Sequence, residues 1–207
     1  MTWIKICGIT NIEDSLKAAS LGVDALGFIF AHSMRRVEPD VVKKIILALP
    51  KTLLKVGVFV DEDLMEVQRV AEYCGLNVLQ FHGKESPEYC QNFFHPVFKA
   101  IHIKDLESLK DMEKYNEVSI LLDTYSSVQA GGTGIPLPWG VALKAKEKRN
   151  FILSGGLNPG NVGEAIKKVR PWGVDVCSGV EAFLGKKDQS KMVEFVEEVR
   201  KADEHTK

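Results

Sequence analysis

Two residues are placed to move protons: Cys7, at the end of the apolar run Trp3-Ile-Lys-Ile, and Asp123, at the end of Ser119-Ile-Leu-Leu. A carboxyl group closing an apolar run is costly inside a sheet unless it has partners or a task. A thiol there reads either as a small buried hydrophobe or, once ionised, as a base. Farther along, Phe151-Ile-Leu-Ser-Gly-Gly-Leu157 and Val174-Asp-Val-Cys-Ser-Gly-Val180 are apolar runs that stop in small residues. As parallel strands they would place Gly155, Gly156 and Gly179 on one rim, with no side chain in front of the backbone amides. Converging N–H groups of that kind cradle a phosphate. Ser33-Met-Arg35-Arg36 offers two guanidinium forks, one read as solvated charge and the other as a clamp for a carboxylate. His82 reads as a backbone anchor or as a proton carrier.

Elements in strict alternation would position these groups. Candidate strands cover 3–7, 25–30, 53–60, 78–81, 97–101, 119–123, 151–154 and 173–177, all rich in Val, Ile, Leu and Phe. Near-continuous apolar character suits parallel strands covered by helices. Amphipathic patterns lie between them, at 12–21, 39–49, 64–74, 87–93, 106–115, 139–146 and 161–169, with a last helix from 189 to 202. Asn11, Ser86-Pro87 and Asn158-Pro159 mark helix starts, and Gly22 and Gly75 mark stops. Eight strands alternating with eight helices predict an α/β chain of one domain over 1–207, a (β/α)8 TIM barrel, with 203–207 a frayed tail. In such a barrel the phosphate cradle follows strands 7 and 8, and the loops at the C-terminal rim carry function. The glycine loop Gly131-Gly-Thr-Gly134 after strand 6 is one of them.

Composition narrows the partners. A formal net charge of −1 leaves no basic footprint for nucleic acid. No apolar run is long enough to span a bilayer, and the N-terminal residues lack a secretory signal pattern. Cys7, Cys74, Cys90 and Cys177 form no C-x-x-C pair, and the five histidines form no H-E-x-x-H, so neither a metal site nor a disulfide framework is expected. A reduced, cytoplasmic setting is the expectation.

With these pieces in place the chain resembles the phosphoribosylanthranilate isomerase family along nearly its whole length. The motifs that carry the resemblance are Lys5-Ile-Cys-Gly-Ile-Thr10, Gly27-Phe-Ile-Phe30 with Ser33-Met-Arg35, Val56-Gly-Val-Phe-Val60, Leu79-Gln-Phe-His-Gly83, Leu121-Leu-Asp-Thr124 with Gly131-Gly-Thr-Gly134, Ser154-Gly-Gly-Leu-Asn-Pro159, and Val174–Glu181 with Gly185-Lys-Lys-Asp188. It implies rearrangement of N-(5-phosphoribosyl)anthranilate to the open-chain 1-deoxyribulose 5-phosphate, a tryptophan-pathway step, with no metal or organic cofactor. It also implies Cys7 as general base, Asp123 as general acid and Arg35 on the anthranilate carboxylate, with Arg36 as fallback. His82, Gly132, Gly155, Gly156, Ser178 and Gly179 would contact substrate, and the protein would be a monomer or homodimer.

Three departures from the family pattern stand out. Cys177 stands where serine is usual, Pro138 where an acid is usual, and Ala31-His32 where a longer Lys-containing stretch is usual. The alternatives are a barrel that binds phosphate without chemistry, or one like the histidine-pathway isomerase. The latter would show an aspartate at the end of strand 1 and a half-barrel repeat. At neutral pH the protonated acid costs roughly 4 kcal/mol and the thiolate roughly 2 kcal/mol from their reference pKa values, so either the site shifts one or both or a minor population reacts fast.

Overall fold

A computed structural model describes residues 1–124 and 139–204. Eight parallel strands close into a barrel in sequence order, β1 (Trp3–Ile6), β2 (Ala25–Ile29), β3 (Leu54–Phe59), β4 (Val78–Phe81), β5 (Val97–Ile103), β6 (Ser119–Thr124), β7 (Phe151–Leu153) and β8 (Gly173–Val176). β1 pairs with β8 through Trp3↔Gly173, Ile4↔Val174, Lys5↔Asp175 and Ile6↔Val176, which seals the barrel. The expected (β/α)8 architecture is therefore present.

The helices are α1 (Ile12–Ser20), α2 (Pro39–Leu47), α3 (Leu64–Cys74), α4 (Pro87–Cys90), α5 (Trp139–Lys148), α6 (Val162–Val169) and α7 (Gln189–Glu204). Their starts follow from local chemistry. Asn11 accepts the Asp14 amide, Asp63 accepts those of Met65 and Glu66, and Ser86 accepts that of Tyr89. Gly75, with φ 73°, ends α3 in the left-handed conformation.

Four elements differ from the sequence reading. The segment after β5 is a 3₁₀ helix, Glu107–Lys114. α4 is a single turn. α6 begins at Val162, not at Pro159, because Asn158 Oδ1 accepts the Gly160 amide at 2.9 Å and the Asn158 amide donates to Asn161 Oδ1 at 2.9 Å. Those side-chain bonds set a turn at 158–160 before the helix. α7 runs on to Glu204, and Asp203 accepts the Thr2 amide and hydroxyl at 2.8 and 2.6 Å, fastening the first strand.

Outward side chains of the strands, among them Ile4, Ile6, Leu26, Phe28, Phe59 and Phe81, pack beneath the helices and are all at most 2% exposed. Each such burial is worth about 1.5–3 kcal/mol. After β8 a short antiparallel hairpin, β9 (Glu181–Phe183) and β10 (Lys186–Lys187), folds back over the mouth of the barrel.

Candidate active site

Side chains alternate along a strand, so Cys7 shares the inward face of β1 with Trp3 and Lys5, and Asp123 shares that of β6 with Leu121. Leu121 belongs to the interior floor with Ala25, Val56, Val78, Phe98, Ala100 and Ile152. Above that floor Lys5 is fully buried and donates to Asp175 at 2.8 Å, while Ser154 Oγ donates to the other carboxylate oxygen at 3.1 Å. Close pairing plus a further hydrogen bond offsets the cost of taking both charges out of water. Burial alone would lower the Lys5 pKa, but Asp175 and the Cys7 sulfur hold it above its ordinary value. An ammonium therefore lies under the thiol.

Cys7 is 5% exposed. The neighbouring strand must be bare beside it: a Cβ on Gly27 would stand 2.6 Å from Cys7 Sγ. Cys7 and Cys177 follow the paired residues Ile6 and Val176 of β1 and β8, and each thiol perturbs the other. Arg35 donates through Nε and Nη2 to the two oxygens of Glu181, at 2.7 and 2.8 Å. Lys187 Nζ, also fully buried, donates to Glu181 at 3.3 Å and to the Cys177 carbonyl at 2.9 Å. Two cations thus share one carboxylate next to two thiols. Interaction with Cys7, with the charges of Lys187 and Arg35, outweighs burial and pulls the Cys177 thiol down to about 6. The same interaction, together with burial, pushes Cys7 up.

On the far side, His82 Nε2 meets Asp123 Oδ2 at 2.9 Å, and His82 Nδ1 meets Gln80 Nε2 at 3.1 Å. Asp123 is 2% exposed. His82 sits just beyond β4, in a loop held from below by Lys99. That buried ammonium donates to the Gly83 carbonyl at 2.7 Å and to Glu85 at 3.0 Å, while Glu85 accepts the amides of Asp61 and Gly83. The His102 ring packs 4.9 Å from that of His82 and bonds the His82 carbonyl through Nε2 at 3.1 Å. Burial lowers the His102 pKa, and the neighbouring His82 lowers it further. His82, His102 and Asp123 offer metal-donor atoms within 4.8 Å of one another, and both histidine Nε2 atoms are already engaged in hydrogen bonds.

Between these groups lie the two glycine elements. Gly155 and Gly156 have φ of 88° and 70°, a region glycine enters without strain. The Gly156 carbonyl accepts from Asn161 Nδ2 at 2.9 Å, which fixes the loop after β7. Gly179, in the 3₁₀ turn Ser178–Val180 after β8, packs so closely on this loop that a Cβ would stand 1.9 Å from the Leu157 carbonyl oxygen. The loops after strands 7 and 8 are therefore in contact. Gly132, with the rest of the glycine loop 131–134 and Pro138, lies outside the described residues.

A family model described as N-(5'phosphoribosyl)anthranilate (PRA) isomerase matches residues 4–198. The N-(5'-phosphoribosyl)anthranilate isomerase of Desulforudis audaxviator is 48% identical over 204 residues, covering 98% of this chain and 100% of that one. The chain belongs to this isomerase family. The crystal structure of phosphoribosyl anthranilate isomerase from Thermotoga maritima has a TM-score of 0.92 at 40% identity, covering 97% of this chain and 100% of that one. A structure of phosphoribosyl anthranilate isomerase in complex with reduced 1-(o-carboxyphenylamino)-1-deoxyribulose 5-phosphate has a TM-score of 0.89 at 40% identity, with the same coverage.

Within this family member, reading the sequence left several working residues unassigned: Lys5 and Asp175 under the thiol, Gln80 behind His82, the Glu85–Lys99 pair, and Glu181 with Lys187 in the hairpin. A signal was present. Lys5, Gln80, Lys99 and Asp175 are polar residues inside otherwise apolar strands, and such residues are seldom fully buried unless paired. Arg36 faces outward, with its side chain 52% exposed and Nε 3.5 Å from Glu38. Arg35 is the arginine at the barrel mouth.

Proposed function

We propose that the chain rearranges N-(5-phosphoribosyl)anthranilate to 1-(2-carboxyphenylamino)-1-deoxyribulose 5-phosphate, with Asp123 as general acid and Cys7 as general base. The supporting observation is that both side chains sit on the inward faces of strands β1 and β6 at the C-terminal rim, with Lys5 and the glycine loops of Gly155–Gly156 and Ser178–Gly179 in the same mouth. Asp123 protonates the ribose ring oxygen and the ring opens to an iminium. That cation acidifies the C2 hydrogen, Cys7 removes it as a thiolate, and the resulting enolamine tautomerises to the ketone. The substrate nitrogen serves as electron sink, so this chemistry calls for no metal or organic cofactor.

The surroundings favour these roles. Lys5 beneath Cys7 opposes the rise that Cys177 and burial impose on that thiol, and His82 with Gln80 behind it orients the Asp123 carboxyl. The amides near Gly155, Gly156, Ser178 and Gly179 hold the phosphate, Arg35 holds the anthranilate carboxylate, and His82 lines the substrate. Fixing the phosphate fixes the sugar carbons against both groups, which is where most of the rate gain from orientation arises.

No helix among the described residues is long and apolar enough to cross a membrane. Four free thiols support a reduced cytoplasmic setting. The chain acts as a monomer or homodimer; monomers generated from a dimeric Thermotoga maritima relative share its fold. Loss of anthranilate-type fluorescence on mixing substrate with protein tests the proposal. Cys7→Ala abolishes turnover while product still binds; undiminished turnover would remove Cys7 as the base.

A further inference from the structure

Cys177 is the departure from the family pattern that lies against the proposed base. Ile6 and Val176 are paired across β1 and β8, and the Cys7 amide donates to the Val176 carbonyl at 2.8 Å, so Cys7 and Cys177 are the next step of the same ladder. Neighbouring strands lie about 4.8 Å apart, within the roughly 4.4–6.8 Å between Cα atoms that a disulfide spans. Both side chains face inward, and each thiol is the strongest influence on the other's proton affinity. The flanking positions are glycines: a Cβ on Gly8 would stand 2.8 Å from Cys177 Sγ, and one on Gly27 2.6 Å from Cys7 Sγ. At these two flanking positions no side chain crowds the sulfurs.

We propose that Cys7 and Cys177 form a peroxide-sensitive dithiol that closes reversibly to a disulfide across β1 and β8. Cys177 is partly exposed and Cys7 buried, so the oxidant meets Cys177 first. Lys187 Nζ, 3.9 Å from Cys177 Sγ, stabilises its thiolate. The thiolate attacks one oxygen of hydrogen peroxide, the O–O bond breaks, and hydroxide leaves to become water, which gives a sulfenic acid. The Cys7 sulfur, having lost its proton, attacks Cys177 Sγ; the S–O bond breaks and the oxygen departs as a second water. Two thiols have lost two electrons and one peroxide has gained them. At Cys74 and Cys90 burial outweighs the nearby cations, Lys43 and Arg69 for the first and Lys99 for the second, and pushes each up to about 11, which leaves them inert.

The effect on turnover rests on the reading of Cys7 as the base, so the chemical and kinetic readouts are kept apart. Purified protein is treated with hydrogen peroxide, and intact mass, cysteine-peptide mapping and turnover are followed before and after dithiothreitol. Each protein is referred to its own untreated sample. Wild type is expected to lose the mass of two hydrogen atoms, to yield a Cys7–Cys177 peptide, and to lose turnover by about a hundredfold or more in the cross-linked fraction. Dithiothreitol restores all three. Cys177→Ser is expected to form no cross-link. Oxygen addition at Cys177 in wild type without a cross-link overturns the dithiol. A cross-link with turnover intact upholds the dithiol and instead removes Cys7 as the base.

Discussion

Replacing Asp123 with asparagine isolates proton donation from shape. The carboxamide occupies nearly the same volume, and one of its two groups still meets His82 Nε2, now 2.9 Å from Asp123 Oδ2. A carboxamide replaces the carboxyl in that bond, which costs about 1 kcal/mol of stability. For a chain of this size that lowers the melting temperature by about 2–4 °C. Losing a positioned general acid costs about 10²–10⁴ in rate, or roughly 2.7–5.5 kcal/mol of transition-state stabilisation. The two effects differ enough to be separated. Steady-state assays that follow the loss of substrate fluorescence should show kcat falling within that range with KM nearly unchanged, because phosphate and carboxylate are held by other residues. A fall smaller than about tenfold would assign ring opening to another group. A KM rising in step with the loss of kcat/KM would mean that Asp123 only binds.

Arg35→Ala should raise KM for the anthranilate-bearing substrate by tenfold or more, about 1.4 kcal/mol, and leave ribose 5-phosphate inhibition little changed. Arg36→Ala, at an exposed pair worth at most about 1 kcal/mol, should change neither, and the reverse outcome would reassign the clamp. Asp14 gives the pH dependence of stability. Burial tends to raise its pKa, but hydrogen bonds from Lys186 Nζ, the Lys187 amide and Asn11 outweigh this and hold the carboxyl below its ordinary value. A lowered folded pKa means the stabilisation is complete above the unfolded value, near 3.9, and is lost as pH falls through the folded one. Asp14→Asn should therefore melt about 4–8 °C lower than wild type at pH 7, from about 2 kcal/mol. The gap should close as pH drops below about 4; a gap constant down to pH 2 would rule out the carboxylate as its source.

Much of the fold was legible in the chain because its signals are local. Apolar runs, capping residues and glycine stops recur in the order β then α, and a parallel sheet wound that way has few ways to close. The rim positions of Cys7, His82 and Asp123 followed from strand ends alone. Local signals failed where a side chain competed with the backbone, as Asn158 does at the entrance to α6, and at α4, which stops after one turn.

Residue types and strand order thus come from the sequence by itself, since propensity and periodicity act over a few neighbours. The pairings that tune the site are the work of tertiary structure alone. Lys5 meets Asp175 across 170 positions and Arg35 meets Glu181 across 146, and those charges become partners only when β8 docks on β1 and the hairpin folds over the mouth. Electrostatic shifts depend on burial and on distances of a few ångströms. Neither quantity exists until the barrel has closed, so the charge state of the thiols was decided there.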